Sequence, residues 1–146
     1  MRQILMACCA LLLVAPAALA DRAVTAEEAA KIEAVLAPLG CKASNMSFDR
    51  EDRSFDVDDA LCGDGRTYDM DLSTDYRIIG GERPLSDNEK LELASALGRV
   101  GCSGGRAKFD IDDDRFEVSK ATCGGSDKLY ELEFDRDFGL IKKKID

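Results

Sequence analysis

Beyond the N-terminal stretch the chain has four cysteines in two pairs: Cys41 and Cys62 are 21 positions apart, Cys102 and Cys123 likewise, and the second pair follows the first by 61. Reduced, they would offer thiolate nucleophiles or metal ligands; oxidised, they offer only crosslinks. The chain contains no histidine. That removes Ser-His-Asp and Cys-His catalysis in their usual form, together with the commonest zinc ligand. No glycine loop opens a helix to cradle phosphate, since "GCSGG" from Gly101 follows a helical pattern instead. Carboxylates are the remaining candidates for acid-base work, and a catalytic pair among them needs burial to raise a pKa. We therefore expect no enzyme and no cofactor.

The carboxylates fall in two kinds of place. "DIDDD", Asp110 to Asp114, supplies the first, third and fifth positions of a calcium loop, but Arg115 holds the glycine place and Ala121 the final glutamate place. It reads as a polar hairpin turn. The rest alternate with apolar residues. If Phe55, Val57, Tyr68, Met70 and Leu72 face a core, then Asp56, Asp58, Asp69 and Asp71 face away from it, as do Glu117, Glu131 and Glu133 further on. The open side of the sheet is then acidic. Such a face is either simply solvated or a docking surface for a cationic protein or peptide, one that steers encounter and weakens with salt.

Compartment decides the state of the cysteines. "MRQ" is a short basic start, "ILMACCALLLVAP" is too short for a comfortable membrane span, and Ala18 to Ala20 fits a signal-peptidase site. Asp21 is read as the mature N-terminus, and Cys8 and Cys9 as lost with the leader. Without Arg2 the charge is 19 − 29 = −10, a field that disfavours nucleic acid and anionic membranes. An even cysteine count in an exported chain argues for disulfides, with three connectivities open.

The 61-residue offset places the elements that hold these residues. "TAEE" from Thr25 aligns with "SDNE" from Ser86, both capping boxes that start helices. Ile32, Val35, Leu36 and Leu39 align with Leu93, Ala96, Leu97 and Val100 as one apolar stripe per helix, ended by Gly40 and Gly101. "MSFDREDRSFDV" and "AKFDIDDDRFEV" then read as hairpins. Phe48 and Phe55 are equidistant from the turn centre, and so are Cys41 and Cys62; Phe109 with Phe116 and Cys102 with Cys123 obey the same rule. A regular antiparallel hairpin sets such residues face to face, so Cys41–Cys62 and Cys102–Cys123 are the expected bridges. Strict alternation would put the cysteines on the sheet face opposite the phenylalanines unless bulges intervene near Asp58–Asp59 and Ser119–Lys120. Third strands follow at "TYDMDLS" and "LYELEFD", then short fourth strands around Arg77 to Ile79 and Leu140 to Lys142. The connector "GGERPL", Gly80 to Leu85, is too short for a free linker, so the two sheets are expected to lie side by side or to form one continuous sheet, with both helices packed on the same face.

Helix, hairpin, then Tyr130-x-Leu132-x-Phe134-Asp135, an acidic turn with Gly139, and Leu140-Ile141 resembles a PepSY domain, with Tyr68 to Ile79 as a weaker second copy. The tandem is similar in outline to the beta-lactamase inhibitory protein family. Departures are Ser73 to Arg77 where a turn glycine is usual, the late Gly139, and the paired cysteines. The resemblance implies an exported, non-catalytic protein-binding module that inhibits or modulates a peptidase; the expected location is periplasmic or secreted, the resemblance favouring the periplasm, and the expected partner is another extracytoplasmic protein or a cationic peptide.

The expected class is α+β, two tandem helix-plus-antiparallel-sheet repeats with the helices packed on one sheet face. The expected division is a signal peptide at 1–20, a first repeat at 21–83 and a second at 84–146. Two readings compete with protein binding: low-affinity cation binding on the acidic face, and a small carboxylate-dependent hydrolase.

Overall fold

Both capping boxes form. In the computed structural model, which describes residues 21–125 and 127–146, Thr25 Oγ1 accepts the Glu28 amide and the Glu28 carboxylate accepts the Thr25 amide. They start helix α1 (Ala26–Leu36); Ser86 and Glu89 repeat the exchange at α2 (Asp87–Arg99). The signal peptide expected at 1–20 lies outside the described residues. A 3-10 turn at Ala37–Leu39 follows α1, and Gly40 and Gly101 both take φ 69°, which reverses the chain toward the cysteine beyond.

The strands are β1 (Arg22–Ala23), β2 (Cys41–Lys42), β3 (Asn45–Asp49), β4 (Ser54–Cys62), β5 (Thr67–Ser73) and β6 (Ile78–Arg83) in the first half. The second half adds β7 (Cys102–Ser103), β8 (Arg106–Asp110), β9 (Arg115–Cys123), β10 (Leu129–Phe134) and β11 (Leu140–Ile145). They form one antiparallel sheet in the order β1-β3-β4-β5-β6-β8-β9-β10-β11, with β2 on the end of β4 and β7 on the end of β9.

The hairpin registers follow the symmetry of the sequence. Phe48 opposes Phe55 and Cys41 opposes Cys62; Phe109 opposes Phe116 and Cys102 opposes Cys123. Both disulfides are present. The register slips between Val57 and Ala60, where Asp59 takes φ 52°, and at the matching place in β9, where Lys120 takes φ 57°. Each bulge turns the cysteine back to the side of the phenylalanines, so Phe55, Val57, Ala60 and Cys62 are all buried.

The expected fold class is overturned. Strand accounts for 47% of the described residues against 22% helix, which makes this mostly an antiparallel sheet carrying two short helices. The halves are not two helix-plus-sheet units set beside each other: they share one open eleven-stranded sheet. The cause lies in the connector. Gly80 to Arg83 is itself strand, so the fourth strand runs on past Ile79, and its far end pairs with the second half, Glu82 with Asp110 and Arg83 with Phe109. Gly81 permits this passage. It sits at φ 80°, and a Cβ there would lie 2.2 Å from the Asp69 carbonyl oxygen. The helices, at 11 and 13 residues, bury only Ile32 and Leu36 from α1 and Leu93, Ala96 and Leu97 from α2.

Two core clusters result. One joins Ile32 and Leu36 to Phe55, Val57, Met70 and Leu72; the other joins Leu93 and Leu97 to Phe109, Phe116, Val118 and Phe134. Each is closed by a tier of stacked groups. In the first half the Arg22 guanidinium lies 4.4 Å above Phe48, Phe48 meets Phe55 edge-on, and Phe55 stacks on Tyr76 at 5.2 Å. Arg83, Phe109, Phe116 and Phe138 build the same tier in the second. Tyr76 and Phe138 hold φ 58° and 59°, a costly backbone for bulky side chains that the ring stacking offsets.

Candidate functional site

The open face of the sheet carries every predicted site carboxylate, yet the two halves treat theirs in opposite ways. On the second half, all three are matched by cations. Glu133 is buried and is met by Lys142 at 2.5 Å and Arg115 at 3.4 Å. Glu117 takes Arg115 and Lys108 at 3.1 and 3.2 Å, and Glu131 takes Lys144 at 2.7 Å. Lys108 also pairs with Glu82 on β6. The pKa of Glu131 is lowered, first by the hydrogen bond from Lys144. Chemically this half of the face is a closed ion-pair lattice.

The first half has no such lattice. Asp56 and Asp71 are direct cross-strand partners, Asp58 lies on the same strand as Asp56, and Asp69 on the same strand as Asp71. Among the described residues, none of the four makes an ion pair. Asp69 Oδ1 accepts the Asp59 amide at 2.8 Å and so closes the bulge, and Asp58 accepts from the Asn45 side chain at 3.2 Å. Asp56 and Asp71 keep only like-charged company. The Asp56 pKa is raised by partial burial and then by the charge on Asp71; that of Asp71 is raised by partial burial and then by Asp112. Like charges directly opposed on a sheet destabilise it, so this patch is held at a cost.

Asp112 was missed as a site residue, because its sequence context is a hairpin turn in the other half. Its Oδ2 accepts the Gly81 amide at 3.0 Å, which brings a fifth carboxylate against Asp71 across Gly80. A Cβ on Gly80 would fall 2.6 Å from the Asp71 carboxylate and 3.1 Å from that of Asp112. The paired glycines were the one visible signal, since together they leave room for both acids.

The calcium-loop spacing does not assemble a site. Asp110 accepts the Asp113 amide within the turn, Asp112 turns to Gly81, and Asp114 pairs with Arg136. Among the described residues no group of three or more acidic, cysteine or histidine side chains is placed to hold a metal. The four cysteines are crosslinked in pairs and buried, which leaves them neither nucleophile nor ligand. No helix among the described residues is long and apolar enough to cross a membrane. No family model, curated protein or solved structure matches this chain.

Proposed function

We propose that this chain is an exported, non-catalytic protein-binding module that docks a cationic protein or peptide on the acidic face of its first half. The observation that carries the reading is the contrast between the halves. Among the described residues, Asp56, Asp58, Asp69 and Asp71 stand without a cation where Glu117, Glu131 and Glu133 are all paired. Repulsion between Asp56 and Asp71 costs stability in the free protein, and a bound Lys or Arg relieves it. Two disulfides support an oxidising, extracytoplasmic compartment. Modulation of a peptidase, the role that the PepSY resemblance implies, is the specific form of this reading.

The test is affinity capture from an envelope fraction, run with the parent and with Asp56→Asn/Asp71→Asn, followed by a peptidase panel. A partner retained by the parent, lost by the variant and released by salt supports docking. Calorimetric titration with calcium addresses cation binding: saturable heat at physiological ionic strength, lost in the same variant, would transfer the site to that use. Capture that is equal with parent and variant would remove the acidic face from the account.

A further inference from the structure

The helix side of the sheet, the face opposite Asp56 and Asp71, carries a cavity in the second half. It has a volume of about 240 Å³ and opens between α2 and the loop that links β7 to β8. Its walls are Leu85, Leu93, Leu97 and Ala107, and Lys90 stands on its lining. The duplication supplies an internal comparison at the same positions.

In the first half the position of Ala107 is held by Met46, opposite Val57 on the core side, half-buried and packed against the first cluster. The loop differs as well. Ala43 and Ser44 become Gly104 and Gly105, at φ 67° and 91°. Gly105 runs so close to β9 that a Cβ would fall 2.7 Å from the Ser119 carbonyl oxygen. Ser44, by contrast, uses its hydroxyl to bond the Asp58 and Asp59 carbonyls. Loss of the methionine side chain and rebuilding of the loop thus fall at one place.

The charge of the lining differs too. The lining positions that carry charge in the first half are Glu33 and Lys42, which sum to zero; in the second they are Ala94 and Ser103, and Ala29 has become Lys90, for a sum of +1. Among the described residues the only ion pair of Lys90 is with Asp87, at 3.0 Å, and Asp87 is almost wholly exposed. An exposed pair of this kind is weak enough for Lys90 to turn to another anion.

We infer that this cavity binds a small aliphatic carboxylate, its chain in the space that a methionine side chain fills in the first half and its carboxylate at Lys90. The volume supports a ligand of that scale, because sites for drug-sized molecules are larger, roughly 300–1,000 Å³. Leu85, Leu93, Leu97 and Ala107 supply apolar contact, and the cation on the lining fixes direction. The inference does not rest on docking at the acidic face. Either can fail alone.

The test is an NMR titration of the full chain, both disulfides formed, with hexanoate, hexanamide and N-acetylmethionine as probes. Saturable shifts of the Leu93, Leu97 and Ala107 methyl groups with hexanoate are expected, with binding of the uncharged amide about threefold weaker. Whether hexanoate or N-acetylmethionine binds tighter tells a free acid from a polypeptide end; either supports the site. Three variants guard the result. Ala107→Met fills the cavity and abolishes the shifts, and Ala94→Glu, compared with Ala94→Gln of the same size, restores the first-half acid and weakens the carboxylates alone. No saturable shift with either carboxylate, equal binding of acid and amide, or shifts that survive Ala107→Met in a folded variant would overturn the inference.

Discussion

Replacing Glu89 with glutamine tests the knot at the start of α2. The Glu89 carboxylate takes both guanidinium nitrogens of Arg83 at 2.7 and 2.9 Å and also accepts the Ser86 amide of the capping box. The Arg83 guanidinium lies 4.5 Å above Phe109, so one arginine joins the shared strand, the helix start and the core. These bonds, Arg83 first, lower the Glu89 pKa from 4.5 to about 2. At 1.36 kcal/mol per pH unit the ceiling is roughly 3 kcal/mol, and screening of this partly exposed pair reduces it to about 1–2 kcal/mol. A carboxyl lowered on folding gives stability that is complete above 4.5 and is lost as pH falls toward about 2. Glu89→Gln should therefore lower stability at neutral pH by about 1–2 kcal/mol, with a melting temperature lower by roughly 4–8 °C. The assay is urea unfolding of parent and variant at steps from about pH 7 to about pH 2, and the gap should close across that range. A gap of constant size would refute the charge argument and assign the loss to shape. Glu28→Gln, at the matching knot of α1, should cost less, because its arginine, Arg22, comes from the two-residue end strand β1 and not from the strand the halves share.

Three further outcomes are expected. Asp71→Asn should raise the melting temperature at neutral pH by the equivalent of about 0.2–1 kcal/mol, the size of an ordinary cross-strand pair contribution, since like charges directly opposed destabilise a sheet. Because the Asp71 pKa is raised on folding, the gain belongs to the pH range above its folded value and should vanish below the ordinary 3.8, which thermal melts across pH can follow. Removing Cys102–Cys123 by double serine substitution should cost about 3 kcal/mol in urea midpoints, given a 21-residue separation. Gly81→Ala should cost roughly 2–4 kcal/mol by the same assay, from the clash with Asp69 and the φ of 80°.

How much of this was legible in the sequence depended on range. Capping boxes, helix stripes and hairpin symmetry act over a few to about twenty residues, and Thr25, Ser86 and the opposed cysteines sit where their spacing placed them. The bulges followed from one conflict, between the symmetry that pairs Cys41 with Cys62 and the alternation that separates them from Phe48 and Phe55. What escaped needed knowledge of which strands are neighbours. Alternation put Glu131 and Glu133 on the open face, but only the pairing of β10 with β11 brings Lys144 and Lys142 to them. Nothing near Arg22 or Arg83 in the sequence marks its stacking partner, since the rings beneath them lie 26 residues away. The fold class failed for the same reason. The short connector left adjacent sheets and one continuous sheet both open, and nothing local chooses the pairing of Glu82 and Arg83 with the far hairpin.

Strand β6 has a consequence for how the molecule comes apart. It is the last strand of one half along Ile78 to Gly81 and the first strand of the other at Glu82 and Arg83, so the halves have a wall in common. A break in the main chain after Arg83 would leave the severed end paired to Asp110 and Phe109, with Arg83 still clasping Glu89 across the nick. The fragments would travel together until denaturant or acid released that clasp. Mechanical or chemical stress should accordingly open the sheet from its outer margins, at β1 and β11, before it divides the middle.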